Sequence, residues 1–276
     1  MEFTSEVIAL EFDGAVVTLW LDRAEARNAL ASAFWRDLSR ACAAVASNDS
    51  IRVLVLAARG LHFTVGLDLK EMGGALVASG ERSISNAAAS GITYDAIRAM
   101  QDSVSALADL PIPVIAAVHG YCIGAGVDLI SACDIRLAAG NAIFSVREAK
   151  VAIVADLGTL QRLPRIIGAG HVAQLAFTGM DIDAARAAQI GLVNSLHGEH
   201  ASDVLAAAHA LAQEIASNSP LAVRGTKAVL AANDGRTIRD GLEFVARWNT
   251  MYLQSNDLRE AMAAFLERRV PVFYGD

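Results

Sequence analysis

Residues 112–134 read IPVIAAVHGYCIGAGVDLISACD, and this stretch carries the signals that decide the fold. Val114–Val118 is a short apolar run that ends at a histidine and a glycine, as expected of a buried strand that reaches a turn. Three small residues, Gly124, Ala125 and Gly126, come next, and apolar residues then recur at helical spacing. The stretch therefore predicts a strand, a glycine-rich turn and the start of a helix.

This turn offers a place for a negative charge. Small residues let a ligand approach the backbone closely, the first N–H groups of a helix lack acceptors within the helix, and the helix dipole adds partial positive charge there. Asp128 stands about one helical turn after Ala125, so its carboxylate can flank the same pocket. An acid beside an anion hole suggests proton-transfer chemistry, although Asp128 could equally be a first-turn acid that stabilises its own helix dipole.

The composition fits a folded protein with a large core. The chain has 276 residues, of which 54% are hydrophobic, enough for one large domain or for a domain with a helical extension. A net charge of −7 and a pI near 5.4 argue against a nucleic-acid partner. The longest apolar tract, before Asp128, contains two prolines, a histidine and several glycines, which argues against a membrane helix.

The cysteines and the two ends of the chain bear on its location. Cys42, Cys122 and Cys133 lack CxxC spacing and fall in apolar segments, which favours a reducing compartment and structural thiols. Residues 1–12 contain three glutamates, unlike a signal or transit peptide, and the last three residues are not a peroxisomal SKL signal. We therefore expect a cytoplasmic protein.

Strands and helices alternate along the first half of the chain. Residues 7–10 and Val16–Leu21, separated by Asp13 and Gly14, alternate apolar and polar side chains and predict an N-terminal hairpin. Apolar residues at helical spacing predict a helix next, and residues 51–57 predict a buried strand. The further predicted elements are an amphipathic helix at 97–107 and short strands at 133–138 and 142–146. Residues 73–94, rich in Gly, Ala and Ser, predict a mobile segment or short helices near the pocket.

The rest of the chain is mostly helical. Residues 147–168 predict an acid-bearing loop and then a helix that Pro164 interrupts or ends. Helices at 172–177 and 183–189 lead to a strand end at 191–193. After about residue 200 the strands disappear, and four helical segments with alanine-rich faces follow at 201–216, 220–232, 237–254 and 257–269.

Besides Asp128, three carboxylates stand in unusual contexts. Asp156 interrupts the apolar run VAIVADLG, where burial without a partner would cost free energy or raise its pKa, although it could also cap the next helix. Glu148 stands near Arg147 and Lys150, so it could simply form a solvated ion pair with one of them. Asp68 is interpreted as a structural cap for the helix after the Gly66 turn.

Other kinds of active site find little support. The chain contains no GxSxG, no GxxxxGK[ST] and no His and Glu pair with zinc spacing, and residues 120–126 do not form GxGxxG. His119 ends a strand before a glycine, where a structural hydrogen bond is the simpler interpretation, and the other histidines form no cluster.

Two stretches together carry a family resemblance. FTVGLDLKEM at 63–72 and PVIAAVHGYCIGAGVDLISACDIRLA at 113–138 resemble the crotonase (enoyl-CoA hydratase/isomerase) superfamily, over nearly the whole chain. The resemblance implies the α/β crotonase fold, a spiral of strand, strand and helix units over residues 1–200, and a C-terminal helical trimerisation region at 201–276. It also implies an oxyanion hole in which the N–H groups of Leu67 and Ala125 bind a thioester carbonyl. Ala125 stands where the family commonly has glycine, which keeps the N–H.

The acidic residues point to one subfamily within this superfamily. Hydratases of the family generally have a glutamate at the position of Asp128, a second at Glu148 and a small residue where Asp156 stands. Asp128, Glu148 and Asp156, together with RWNTMYLQSNDL at 247–258, instead resemble the Δ3,5-Δ2,4-dienoyl-CoA isomerase subfamily. This implies that Glu148 takes a proton from C2, that Asp156 delivers one to C6, and that Asp128 supports them.

The resemblance also implies the remaining binding groups. The adenine of coenzyme A would meet the backbone near Val65 and the loop at Ala26 and Arg27, and Lys70 would contact a phosphate. Phe265 and Arg268, in AFLERR, match positions that reach the nucleotide of a neighbouring subunit in a homotrimer or a hexamer of two trimers. Lys70 and Arg268 could alternatively be ordinary surface charges. No metal or redox cofactor is expected, since coenzyme A is part of the substrate.

Several other functions stay open on this fold. Asp128 and Glu148 could position a water as in an enoyl-CoA hydratase, or serve a Δ3,Δ2-enoyl-CoA isomerase. An acyl-CoA hydrolase, a carbon–carbon bond enzyme and a non-catalytic or RNA-binding scaffold are further alternatives, of which the last is disfavoured by the acidic charge.

Overall fold

Two β-sheets organise the chain in the computed structural model, which describes residues 3–71 and 86–276. The nine strands of this part are β1 (Ile8–Asp13), β2 (Val16–Leu21), β3 (Val53–Ala58), β4 (Val114–Val118), β5 (Tyr121–Ile123), β6 (Ile135–Ala138), β7 (Ile143–Ser145), β8 (Asp181–Asp183) and β9 (Ser195–Leu196). One sheet has the order β1-β2-β3-β4-β6-β9, and the smaller one has the order β5-β7-β8. The first pair, β1 and β2, is antiparallel, and every later neighbour in the large sheet is parallel.

Helices connect these strands and cover the large sheet. They are α1 (Ser32–Ala46), α2 (Asn86–Ala108), α3 (Ala125–Ser131), α4 (Thr159–Ile166), α5 (Ala169–Thr178), α6 (Ala184–Gln189), α7 (Ala201–Ala216), α8 (Pro220–Ala232), α9 (Ile238–Tyr252) and α10 (Asn256–Glu267). Short 3-10 helices span Ala24–Ala26 and Glu148–Val151, and a further helix begins at Leu69. Among the helices of residues 3–71 and 86–276, none is both long and apolar enough to cross a bilayer.

The large sheet is buried on both faces. In β3, Leu54 and Leu56 point to the core shared with α1, whereas Val53 and Val55 point to the core shared with α7. Side chains of a strand alternate between faces, so a strand covered on both sides needs apolar residues at every position. This explains why β3 and β4 read as continuous apolar runs.

Most of the predicted elements are present, and the N-terminal hairpin is confirmed. Its turn lies at Gly14 and Ala15 rather than at Asp13 and Gly14, because Asp13 still pairs with Val16. The strand end predicted at 191–193 lies slightly later, in β9, and β5 and β8 were not predicted. A strand of three residues is defined by its partners and has too few positions to show an alternating pattern.

The helical predictions are also largely confirmed. Pro164 lies inside α4, which ends soon after it at Ile166. The four C-terminal helices are present, and the described part of the chain has no strand after β9. Of the segment predicted at 73–94, residues 73–85 lie outside the described residues, and the remainder belongs to α2. The division at about residue 200 stays a prediction, and α7, which follows it, packs on the sheet.

Candidate active site

Two glycine-containing turns lie side by side, as the sequence predicts. Backbone hydrogen bonds join the segments before them: Phe63 N–H donates to His119 O at 2.9 Å, and Thr64 N–H donates to Tyr121 O at 2.8 Å. Ile123 N–H donates back to Thr64 O at 3.2 Å. This short parallel ladder fixes the position of one turn relative to the other.

The amides of Leu67 and Ala125 meet at this junction. Gly66 has φ +86, and a Cβ there would lie 2.8 Å from Ile123 O and 3.5 Å from Ala125 N. Only glycine fits so close an approach with a positive φ. Within residues 3–71 and 86–276, neither Leu67 N–H nor Ala125 N–H has a hydrogen-bond acceptor. Two unpaired donors therefore lie close together, one of them at the N-terminus of α3.

Asp128 is buried one turn into α3. Its side chain does not bond its own helix: Oδ1 accepts the backbone N–H of Thr159, the first residue of α4, at 2.6 Å. The residue before that helix is Gly158, which has no side chain to act as a cap. Burial raises the pKa of Asp128 to about 6, and the hydrogen bonding to Thr159 opposes that rise. Asp128 thus caps a second helix instead of only stabilising the dipole of its own.

Glu148 opens the 3-10 helix that follows β7. Its Oε1 lies 3.5 Å from the position that a Cβ on Gly124 would occupy, so the carboxyl packs against the second turn. Its Oε2 is buried and has no hydrogen-bond partner in the described part of the chain. Burial raises the pKa of Glu148 to about 7, and the charges of Asp128 and Asp156 add to the rise.

The solvated ion pair considered for Glu148 does not form. Arg147 donates instead to both carboxylate oxygens of Asp181, at 2.7 Å and 2.6 Å. Lys150 lies against Gly179, with side-chain carbons 3.0–3.2 Å from the position of a Cβ there. Within the described residues, neither basic neighbour of Glu148 in the sequence neutralises its carboxyl.

Asp156 lies in the segment without regular structure that precedes α4. Its side chain is half-buried, and burial raises its pKa. The helix-cap interpretation of Asp156 is wrong, because α4 is capped at Gly158 and its first amide bonds Asp128. The backbone carbonyl of Asp156 accepts a hydrogen bond from Gln101 Nε2 at 2.6 Å.

The three acids form one electrostatic cluster. The charge of Asp156 raises the pKa of Asp128, and both aspartates raise the pKa of Glu148. Arg162, on α4, opposes the rise at Asp128. Like charges in a buried place cannot all ionise at neutral pH, so the titration belongs to the cluster as a whole.

Two polar residues beside the turns have structural roles, as predicted. Asp68 Oδ1 accepts the N–H groups of Lys70 and Glu71 at 3.1 Å and 3.3 Å, which caps the helix that begins at Leu69. His119 is buried, and its Nε2 lies 3.0 Å from Gly60 O. The free thiols of the cysteines are likewise buried. Among residues 3–71 and 86–276, no group of three His, Cys, Asp or Glu is arranged to hold a metal ion.

The residues proposed to bind coenzyme A fall into two groups. The loop at Ala26 and Arg27 lies beside the first turn, since Val65 N–H donates to Arg27 O at 3.3 Å. Lys70 is exposed in the first turn of the helix after Gly66. Phe265 and Arg268 lie at the end of α10, where both are exposed. The first group thus lies beside the first turn, and a role in coenzyme A binding stays a prediction for both groups.

Sequence reasoning missed three partners of the acids: Thr159, Gln101 and Arg162. Gln101 and Arg162 are ordinary polar residues of amphipathic helices, and Thr159 contributes a backbone N–H. Each of them contacts the acids or their loop by chain folding, so no local pattern in the sequence could have identified them.

Comparisons with known proteins agree with this geometry. A family model described as enoyl-CoA hydratase/isomerase matches residues 11–276. The peroxisomal Δ(3,5)-Δ(2,4)-dienoyl-CoA isomerase of Arabidopsis thaliana is 38% identical over 270 residues, 98% of this chain and 96% of that protein. The mitochondrial enzyme of the same name from Rattus norvegicus is 38% identical over 92% of this chain and 77% of its own length. The one from Dictyostelium discoideum is 47% identical over 63% of this chain and 59% of its own length.

Solved structures confirm the predicted fold class. An enoyl-CoA hydratase from Bacillus anthracis superposes with a TM-score of 0.88 at 30% identity, covering 98% of this chain and all 100% of that one. An enoyl-CoA hydratase from Polaromonas sp. JS666 superposes with a TM-score of 0.86 at 27% identity, covering 97% and 99%. This chain therefore shares the fold of these proteins, an α/β spiral with C-terminal helices.

The expectation of a cytoplasmic protein is wrong. The dienoyl-CoA isomerases reported above are named as peroxisomal or mitochondrial proteins. The expectation rested on free thiols and on the charges near the chain ends. Unpaired buried thiols argue against an oxidising compartment, but they do not distinguish one reducing compartment from another.

Proposed function

The chain belongs to the enoyl-CoA hydratase/isomerase family, and on that premise we propose that it is an acyl-CoA isomerase that converts 3,5-dienoyl-CoA into 2,4-dienoyl-CoA. The observation that carries the proposal is the third acid, Asp156, which shares one electrostatic cluster with Asp128 and Glu148. The likeness to relatives named dienoyl-CoA isomerase supports it. We further propose that the reaction serves fatty-acid β-oxidation.

The reaction needs two acids at separate places. A proton must leave C2 and another must arrive at C6, roughly 5 Å away, which is beyond the reach of one hydrogen-bonded carboxylate. Glu148 packs against the Ala125 turn, whereas Asp156 approaches from the segment before α4. Two carboxyls on different segments can therefore serve the two carbons, with Asp128 between α3 and α4 to hold and tune them.

The proposed steps balance in protons and electrons. Glu148 takes the C2 proton, and the C–H electrons spread over the diene and the thioester oxygen as a dienolate. The N–H groups of Leu67 and Ala125 stabilise that oxygen, by about 3–4 kcal/mol for each donor. Asp156 then gives its proton to C6, the double bonds move to the 2 and 4 positions, and both carboxyls recover their starting states by proton exchange.

The raised pKa values suit these roles. A pKa of about 7 leaves Glu148 partly ionised near neutral pH and basic enough to accept a proton. Burial raises the pKa of Asp156, which favours the protonated form that the second step requires. No step requires a metal or a redox cofactor, and coenzyme A enters as part of the substrate.

One spectroscopic assay tests the proposal. Purified protein mixed with a 3,5-dienoyl-CoA should produce the rising absorbance of a conjugated 2,4-dienoyl thioester. No change in absorbance, with the protein folded, would contradict the proposed function. Water addition to crotonyl-CoA tests the alternative of an enoyl-CoA hydratase, which the names of the similar solved structures favour.

We also propose that the active form is a homotrimer or a hexamer of two trimers. The support is a set of large apolar side chains that are exposed on the C-terminal helices of one chain. Exposure of so much apolar surface to water is unfavourable, and a second copy of the chain could cover it. This set comprises Leu230, Ile238, Leu242, Met251, Met262, Phe265 and Leu266. In such an assembly Phe265 and Arg268 would complete the coenzyme A site of a neighbour, beside Ala26, Arg27, Val65 and Lys70.

A further inference from the structure

The segment that carries Asp156 has no regular structure of its own. Residues 152–158 lie between the 3-10 helix and α4, outside any helix or strand. The side chain of Asp156 can therefore hold a fixed position only if other parts of the chain hold its backbone. Backbone hydrogen bonds hold its two ends, among them Ile153 N–H to Glu148 O at 3.0 Å. In the described part of the chain, the side chains of Asp128, Arg162 and Gln101 also contact the segment or the residue that follows it.

Two of these contacts come from the site itself. Thr159 N–H donates to Asp128 Oδ1 at 2.6 Å, which fixes the end of the segment. Arg162 Nη1 donates to Leu157 O at 3.2 Å, which holds the residue after Asp156 from the following helix. Neither bond is made to the peptide group of Asp156.

The third contact reaches Asp156 directly from α2. Gln101 Nε2 donates to Asp156 O at 2.6 Å, across 55 residues of sequence. The amide of Gln101 is itself oriented, because Arg98 Nη1 donates to its Oε1 at 2.7 Å. One turn later on the same helix, Ser105 Oγ accepts from Arg162 Nη2 at 3.4 Å. One face of α2 thus carries both supports for the loop.

Helix α2, which carries Gln101, is itself held in place by the core. Val104 and Leu107 are fully buried, and Ser103 Oγ donates to Trp35 O of α1 at 2.6 Å. Glu148, by contrast, is placed by β7 and the 3-10 helix, which make no use of Gln101. Ile153 N–H joins the start of the Asp156 segment to Glu148 O, but the contact from Gln101 is made to Asp156 alone of the two acids.

We infer that Gln101 is a positioning residue that sets where Asp156 delivers its proton at C6, while leaving proton removal at C2 to Glu148 unaffected. The inference deepens the proposed function and rests on it. A displaced donor slows a proton transfer steeply, because the reacting atoms must lie within hydrogen-bond reach. Gln101 need not touch the substrate to have this effect.

The test replaces Gln101 with methionine, which keeps the size of the side chain and removes the donor. Gln101→Glu, a second variant of the same shape, also removes the N–H donor. The matched control is Gln161→Met, the same change at an exposed position of α4. We expect the control to behave as the wild type in every measurement below.

The first measurement does not depend on any reaction. Amide hydrogen exchange in the peptide spanning residues 152–158 should be several times faster in Gln101→Met than in the wild type, because one restraint on that backbone is gone. Exchange over the rest of α2 should stay the same. Unchanged exchange at 152–158, or faster exchange spread over all of α2, would overturn the inference whatever the enzyme catalyses.

The second measurement separates the two proton transfers. With 3,5-dienoyl-CoA in D2O, kcat for the 2,4-product should fall about tenfold in Gln101→Met, the effect of one lost hydrogen bond to a half-buried acceptor. KM and the rate of deuterium entry at C2 of unreacted substrate should stay within twofold of the wild type. Equal losses at C2 and C6 would overturn the positioning role. A wild type without isomerase activity would instead contradict the proposed function, and the exchange measurement would then decide on Gln101 alone.

Discussion

In the proposed function the reaction type depends on Asp156, which stands where the resemblance implies a small residue in hydratases. We predict that Asp156→Asn lowers kcat for dienoyl isomerisation by about 100-fold or more, the usual contribution of a general acid. Substrate binding should persist, because the amide has the same shape. The measurement is steady-state turnover together with calorimetric binding of an acyl-CoA.

The matched control for that variant is Asp109→Asn, at an exposed position just after the end of α2. An exposed carboxylate there should contribute little to stability. Full activity in Asp156→Asn, or an equal loss in the control, would contradict the role of Asp156 as the proton donor.

Glu148 makes stability depend on pH in a direction set by its raised pKa. Its folded-state pKa is about 7 against an ordinary 4.5, so the native state holds the proton more tightly than the unfolded chain does. The resulting stability is fully present below about pH 4.5 and is lost as pH rises through about 7. The charge of Glu148 therefore destabilises the fold in alkaline solution.

We predict from this that Glu148→Gln raises the free energy of unfolding at pH 8 by roughly 1–3 kcal/mol and gives no such gain at pH 4. The same variant should lose most of its turnover, because the amide cannot accept the C2 proton. Urea unfolding at the two pH values measures the first effect. Glu214→Gln, at an exposed position of α7, is the control, and a loss of stability at pH 8 in Glu148→Gln would contradict the assignment.

At the scale of elements, the site turn at Gly66 needs glycine for a reason of space that the N-terminal hairpin turn does not share. Gly66 and Gly14 both have positive φ, +86 and +58. A Cβ on Gly66 would come within 2.8 Å of Ile123 O, whereas one on Gly14 would meet nothing within 4 Å. The first turn must stay close to the second, and the hairpin turn need not.

This contrast gives a matched pair of substitutions. Gly66→Ala should push the Leu67 N–H away from its place beside Ala125 and lower kcat by about 100-fold, the effect of losing one oxyanion donor. Gly14→Ala should cost about 1 kcal/mol of stability through its positive φ and leave kcat within twofold. Turnover and thermal unfolding of both variants check the prediction. Equal effects on kcat would mean that the Gly66 turn serves only the fold.

The elements themselves could be predicted where burial is continuous. β4 was predicted with its observed bounds, and α1 was predicted from its apolar face, because a strand or helix in the core shows its environment in its own residues. The three-residue strands β5 and β8 were missed, since pairing with distant strands defines them.

At the scale of the molecule, the exposed apolar residues of the C-terminal helices predict self-association. Leu266 is 80% exposed on α10. We predict that Leu266→Asp converts a trimer or hexamer into smaller species, because a buried charge without a partner disfavours an interface. Size-exclusion chromatography with light scattering measures the mass of each species.

A matched control for this variant is Phe12→Asp. Phe12 is 56% exposed on β1, outside the C-terminal helices. It should leave the mass unchanged. A monomeric wild type would contradict the assembly, and dissociation of both variants would remove the assignment of the interface to the C-terminal helices.

The amino-acid sequence was sufficient to predict the two turns and to draw attention to the three acids, because glycines after a strand and an acid inside an apolar run are local signals. The fold class came from the family resemblance that the two motifs carry. Only the tertiary structure shows what each acid contacts. Asp128 caps a helix 31 residues later, Glu148 lacks the ion pair that its neighbours suggested, and Asp156 is held by Gln101 on another helix. Hydrogen bonds and desolvation of this kind arise between segments that only chain packing brings together. They also set the pKa values, so the chemistry of the cluster depends on tertiary contacts that no local pattern contains.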